Sequence, residues 1–403
     1  MIKTLHIIIG MTLVILYVNL LTALLVNISP HAKYFPISKD LFVIIALFFL
    51  LLCIQKRNYK ILLDKYILLF LLLLSIYFIV TDESFFNRVY NFRRLALPLI
   101  IFTLFMNLKL DLKESEIYSR FLTANFLVLV TFGLFEYFNT NFIWKTLIDI
   151  NLYWNLNATQ DSSELDSFTS GGRLFTSDSI AFLGYKLRRM ISLSLEPTTF
   201  AAFILFCSTL FLYERKYFLY ALSIICGFLT FSKLFIVGCI LVLFQKLFRL
   251  YHPAFLILGT ILLFFLSQYI SHNTDKLHGS FSHIKGFYSG ITLLADHPLG
   301  FGIGKAGNRG SLGVSTMNGD YGGESGFGNV TAQVGFLGLL YLLILFFLYR
   351  KIYQHRSKLS NQISLSLIIQ YLLNFYLSAS SMGVLSFFFI FSYLGIHYGR
   401  NEH

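Results

Sequence analysis

The sequence predicts an all-α polytopic integral membrane protein, a single membrane domain over 1–403 with about twelve transmembrane helices and two large outer loops. Three observations predict it. Of its 403 residues 56% are hydrophobic and only 13% charged, whereas a soluble domain is about a quarter charged. Apolar runs long enough for a bilayer, which needs roughly 20 residues per helix, recur along the chain. They are continuous, so the short alternating segments of a β-barrel are excluded. Finally, the basic residues gather in short loops at every second turn, the pattern of cytoplasmic connections.

Taken in order, the first apolar run, 5–27, is too long for a cleaved leader and lacks a small-residue cleavage site, so it reads as a span. Further spans are predicted near 40–54, 61–80, 95–107, 121–138, 197–213, 218–231, 234–248, 253–270, 329–348, 360–377 and 382–398. The runs at 95–107 and 218–231 are short and suggest local thinning or a re-entrant stretch. Loops 55–60 (QKRNYK), 108–120, 214–216, 245–249 and 349–358 (YRKIYQHRSK) are compact and basic. That pattern places both termini in the cytoplasm and leaves the long segments 139–196 and 271–328 outside. The formal charge of +12 then reflects cytoplasmic anchoring and an anionic ligand rather than nucleic acid. Trp144 and Trp154, in the first long loop, are expected to anchor at headgroups, stacking on a sugar ring being the alternative. Cys53, Cys207, Cys226 and Cys239 fall within apolar runs without CxxC or metal-ligand spacing, so neither disulfide nor metal site is expected. Gly395 and Gly399 form a GxxxG at the edge of the last span, too short to argue a dimer.

Four clusters on the predicted outer side could carry chemistry. Arg88, Arg93 and Arg94 stand at the mouth of the fourth span, against the topological charge bias. Planar guanidinium forks suit a phosphate or pyrophosphate; snorkelling to lipid headgroups is the competing explanation. In the second cluster, Ser194-Leu195-Glu196-Pro197-Thr198, the proline marks a helix start and Glu196 lies at its positive end. Glu196 therefore reads either as a plain terminus residue or as a catalytic carboxylate that orients an arginine or accepts a proton, with Arg188 and Arg189 just before it. Lys233, at a tight outer turn, pairs with a lipid phosphate or a ligand phosphate. The fourth cluster is the segment Asp296–Lys305 (DHPLGFGIGK), whose successive amides could form an anion nest beside Lys305 and Arg309. Its GxGxxG spacing is not a dinucleotide fingerprint, because no strand precedes it. His297 and Glu324 are the outer groups best suited to accept a hydroxyl proton.

Three of these stretches together resemble a known family. SLEPTTFAAFILF is similar to the Ser-x-Glu-Pro-Ser/Thr segment of bacterial O-antigen polymerases (the Wzy type). DHPLGFGIGKAGN resembles the hPLGxGxG turn in the large outer loop of the wider O-antigen polymerase/ligase family, and ESGFGNVTAQVGFLGLL resembles its closing segment. FSKLFIVG fits a further position of that family, a serine followed by a basic residue. The resemblance implies a metal-independent glycosyltransferase without cofactor, in the bacterial inner membrane. Its substrate would be an undecaprenyl-diphosphate-linked oligosaccharide, and its partners membrane lipid and a chain-length regulator protein. Arg88, Arg93, Arg94, Arg188, Arg189, Lys233, Lys305 and Arg309 would then hold the diphosphate. Glu324 or His297 would serve as base, and Glu196 would orient a cation. Ligase-type members carry a His-Asn pair where this chain has Glu324-Ser325, which favours a polymerase. The alternatives are an O-antigen ligase acting on lipid A-core and a lipid-linked oligosaccharide flippase. For a flippase the mid-span ionisable candidate is Glu136, near a helix end.

Overall fold

The computed structural model describes residues 4–29, 44–52, 64–108, 110–139, 142–148, 174–175, 187–273, 282–307, 323, 325–378 and 383–399. Its helices are α1 (Thr4–Ile28), α2 (44–52), α3 (Lys65–Val80), α4 (Phe85–Asn107), α5 (Leu112–Phe138), α6 (Pro197–Tyr213) and α7 (Tyr217–Leu229). They continue as α8 (Lys233–Phe248), α9 (Pro253–Asn273), α10 (Ser282–Asp296), α11 (Gly326–Val334), α12 (Phe336–Gln354), α13 (Leu359–Leu377) and α14 (Val384–Gly399). A π-helical turn over Phe142–Leu147 and a 3-10 turn over Ser192–Ser194 complete the helical elements. The described strands, β1 (Leu174–Phe175) and β2 (Leu187–Arg188), form a small antiparallel ribbon.

Among the described residues five helices are long and apolar enough to cross a membrane: α1, α4, α5 from Lys113, α9 to Ser271, and α12. The helices over 65–80, 197–213, 217–229 and 386–398 are apolar but shorter. On α9 only 11% of the apolar window is buried within the protein, and Leu258, Leu262 and Phe265 stand exposed. In water that face would be an aggregation surface, whereas hydrocarbon accepts it at no cost.

Two expectations change at this level. The short span expected at 95–107 is the second half of the 23-residue α4. Ser84 caps the helix by accepting from the Asn87 amide at 3.4 Å, ten residues earlier in the chain than the apolar run suggests. Arg88, Arg93 and Arg94 are therefore helical residues, not loop residues. Likewise the interval 271–328 is not all loop. It contains α10 and the start of α11, and the single span expected at 329–348 breaks at Gly335 into α11 and α12. Gly335 has φ +56°, and a Cβ there would run into the Pro298 carbonyl oxygen, so only glycine serves at this break.

The chain forms two compact units, one of Met1–Tyr59 with Leu110–Cys239 and one of Lys60–Lys109 with Ile240–His403. In the first, α5 opens with a capping box: Asp111 accepts from the Glu114 amide and Glu114 reaches back to the Asp111 amide. Its core joins Ala23 of α1 to Ile143, Trp144, Ile148, Ile191 and Leu195. Hydrogen bonds from Tyr17 to Asn125 (2.8 Å) and from Asn19 to the Ser194 carbonyl (2.9 Å) fix α1 against α5 and the 3-10 turn. Such polar links give direction to helix packing where lipid removes the hydrophobic drive.

In the second unit, α4 pairs closely with α14. A Cβ at Gly395 would stand 2.6 Å from the Phe102 carbonyl oxygen and 2.7 Å from the Phe105 Cβ. The terminal GxxxG thus contributes its first glycine to packing inside the chain. Gly395→Val is expected to destabilise the protein by about 1–3 kcal/mol, since backbone cannot yield to an added side chain. The midpoint of thermal unfolding in detergent checks this; an unchanged midpoint would mean that α4 and α14 do not meet there. Elsewhere in this unit Tyr341 and Tyr371 share a 2.8 Å hydroxyl contact between α12 and α13, and Phe287, Phe327 and Tyr376 stack α10, α11 and α13 together.

Candidate functional site

The second unit brings the arginine helix and the glycine turn together. On α4, residues 88, 91 and 94 recur at three-residue steps and so share one face. Asn91 and Arg94 are both buried. Arg88 donates from Nη1 to the Phe78 carbonyl at 2.9 Å, with its guanidinium over the Phe78 ring. Its Nε is buried with no hydrogen-bond partner. Arg93 and Arg94 both stand over the ring of Tyr90, at 4.9 and 5.5 Å from its centroid. Aromatic faces of this kind hold a guanidinium in place while leaving its N–H edge directed sideways.

The turn that follows α10 is built on left-handed glycines: Gly300 (φ +70°), Gly302 (+107°), Gly304 (+89°) and Gly307 (+89°). Its amides do not form the open anion nest that the sequence suggests. Gly300 N–H donates to the His297 carbonyl, Phe301 to Ala332, and Gly302 to the Gln333 carbonyl. Ile303 N–H donates to Thr81 Oγ1 at 3.1 Å, Gly304 to Gln333 Oε1 at 3.0 Å, and Lys305 to the Gly302 carbonyl. Six consecutive donors are thus satisfied by protein oxygens, because the turn lies against α11 and the α3–α4 corner rather than in open solvent. Glycine here permits backbone contact: Gly304 packs on the backbone of Asn87, the residue before Arg88. Lys305 follows directly in the chain.

Gln333 joins the parts. It is almost fully buried. Its Oε1 accepts from Gly304, its Nε2 donates to Asn91 Oδ1 at 3.3 Å, and its carbonyl accepts from Gly302. Neither Asn91 nor Gln333 is singled out by sequence reasoning. The available signal was an amide residue in each of two otherwise apolar segments, NFRRLALP and VTAQVGF. At the other end of the turn His297 is exposed, and its ring lies 4.2 Å from that of Phe301.

The first unit places the remaining expected residues. Arg189 donates from Nε to the Thr230 carbonyl at 2.8 Å, and Met190 N–H donates to the Leu229 carbonyl. The segment is thereby pinned to the end of α7, three residues before Lys233, which is exposed at the start of α8. Glu196 stands before Pro197 at the start of α6, as expected, and its Oε1 accepts from Thr198 Oγ1 at 3.0 Å. Arg188 lies in β2. Glu324 and Arg309 lie outside the described residues, as does Trp154.

Trp144 corrects an expectation. It is fully buried and donates from Nε1 to Glu136 Oε2 at 2.7 Å, so it does not lie at a headgroup surface. The indole N–H finds a partner inside the protein, and the ring packs on Phe132. Glu136 Oε1 also accepts from the amides of Ile191 (3.0 Å) and Ser192 (3.2 Å). This carboxylate holds the backbone that leads into Glu196, a stretch in which Ser192 (φ +49°) and Leu195 (φ +57°) adopt the left-handed region. Each such residue costs about 1–3 kcal/mol, which the buried hydrogen bonds offset. Among the described residues no cluster of three or more His, Cys, Asp or Glu side chains forms a metal site. Compared with known proteins, the sequence matches no family model and no curated protein.

Proposed function

We propose that this protein is a membrane glycosyltransferase that polymerises surface-polysaccharide repeat units at the outer face of a bacterial inner membrane, with both termini cytoplasmic. The reading rests on the likeness of one segment to O-antigen polymerases and of two more to the wider O-antigen polymerase/ligase family. The single observation that carries it furthest is the wiring of Asn91, Gln333 and Gly304, which supports a role for the arginine helix and the glycine turn as parts of one site.

In this reaction an acceptor hydroxyl oxygen bonds to the anomeric carbon of the donor sugar while the anomeric C–O bond to the lipid diphosphate breaks. The electron pair leaves with the diphosphate, and the hydroxyl proton passes to a base. Charge develops mainly on the leaving diphosphate, so fixed cations there contribute most. Arg88, Arg93, Arg94 and Lys305 are the proposed set in the second unit. Arg188, Arg189, Lys233 and Arg309 complete the cations to be tested. His297 or Glu324 receives the proton, and Glu196 orients a cation. The undecaprenyl-diphosphate-linked oligosaccharide is the substrate, with no metal or cofactor, and a chain-length regulator is the proposed partner.

The test is the glycan profile of the source bacterium without this protein, complemented with wild type, Arg94→Ala, Lys233→Ala or Glu324→Ala. The expected deletion strain carries surface glycan of one repeat unit only, and Arg94→Ala reproduces this at normal protein level. A deletion strain without any capped acceptor would indicate the ligase or flippase instead. An unchanged ladder would exclude all three.

A further inference from the structure

We infer that the second unit also binds an anionic phospholipid, at the end remote from the arginine–glycine locus. A cavity of about 290 Å³ opens where α3 begins and where α4, α12 and α14 end. Leu99, Phe102, Ile344 and Leu348 give it apolar wall, and Arg350, Lys351, Asp64 and Gln354 give it a polar side. Its volume lies at the small end of ligand pockets, which suits a segment of acyl chain rather than a bulky solute.

The mouth defines the headgroup. Arg350 and Lys351 are both exposed, on the segment YRKIYQHRSK whose basic character marks the cytoplasmic side. Lys351 Nζ lies 3.7 Å from Asp64 Oδ2 and 5.7 Å from the centre of the Tyr398 ring. The distance to Asp64 exceeds that of a charge-assisted hydrogen bond, about 2.7–2.9 Å. A phosphate oxygen at the mouth would compete with Asp64 for this cation. One acyl chain in the slot and the phosphate between Arg350 and Lys351 satisfy both halves of the cavity. Basic pockets between helices on the cytoplasmic side bind anionic lipid in this manner. Asp64 opposes the headgroup and limits its affinity. This inference does not depend on the proposed glycosyl transfer.

The test uses the full-length protein, stripped of lipid and reconstituted in phosphatidylcholine vesicles containing phosphatidylglycerol with a diazirine in one acyl chain. Photolabel is expected on peptides from α4 and α12 that line the cavity. Native mass spectrometry is expected to show about a tenfold preference for phosphatidylglycerol over phosphatidylcholine. Arg350→Gln with Lys351→Gln should bring that preference to parity, and Asp64→Asn should raise it severalfold; the latter keeps the test informative should the double variant fold poorly. Label spread along α9 and the other exposed faces would show ordinary annular lipid and overturn the proposal. An unchanged preference in both variants would overturn it as well.

Discussion

Glu136→Ala is expected to be among the most destabilising single substitutions in this protein, at about 3–5 kcal/mol. The wild-type carboxylate accepts from the Trp144 indole and from the amides of Ile191 and Ser192, all buried. Alanine leaves three donors without that acceptor, and each unsatisfied buried donor costs about 1–3 kcal/mol. Partial relaxation of the 3-10 turn brings the sum below the simple total. Glu136→Gln separates shape from chemistry. Its single carbonyl oxygen can still serve Ile191 and Ser192, but its amide N–H₂ then faces the indole N–H, donor against donor. A loss of about 1–2 kcal/mol is expected for it. Unfolding in detergent measures both, and limited proteolysis around 190–196 reports whether the segment before α6 is released. Should Glu136→Ala unfold at the wild-type midpoint, the carboxylate does not hold this segment.

The all-helical class and the long apolar helices are legible from the apolar runs alone, and α6 begins at Pro197 as the proline and the preceding carboxylate suggest. The start of α4 is hidden because hydropathy reports lipid contact, whereas the helix continues past the apolar run through Arg93, Arg88 and Asn87 to the Ser84 cap. For α10 the obstacle is composition. SHIKGFYSGITLLAD mixes glycine, serine and charge, yet it is helical because Phe287 packs against Phe327 and Tyr376. The glycine turn is conspicuous in sequence, but its purpose is not: left-handed glycines serve anion nests and tight backbone packing equally. Which of the two obtains depends on Thr81 and Gln333, distant in sequence and brought to the turn by the fold. Trp144 shows the same dependence on a tertiary partner, since only the approach of Glu136 makes an interior position tolerable for its N–H.

Gln333→Leu is expected to leave Arg88, Arg93 and Arg94 chemically intact and still reduce polymer synthesis about a hundredfold. The leucine side chain is of similar size but cannot accept from Gly304 N–H or donate to Asn91 Oδ1, so both buried groups lose their partner. The glycine turn then loses its side-chain fastening to α4 while keeping its backbone bonds to Ala332 and Gln333. A displacement of about 1 Å in a positioning element suffices for a hundredfold loss when transfer needs aligned reactants. Gln333→Glu is the sharper control. It preserves the acceptor for Gly304 and replaces the donor to Asn91 by a second oxygen, so it tests the Asn91 link by itself. Asn91→Leu and the double variant close a cycle in which a real contact shows a coupling of about 0.5–3 kcal/mol in stability. The glycan ladder supplies the functional readout, with chains shortened toward the single repeat at normal protein level. Strict additivity in stability, together with a full-length ladder from Gln333→Leu, would show that the turn needs no link to the arginine helix and would remove the observation on which the proposed site chiefly stands.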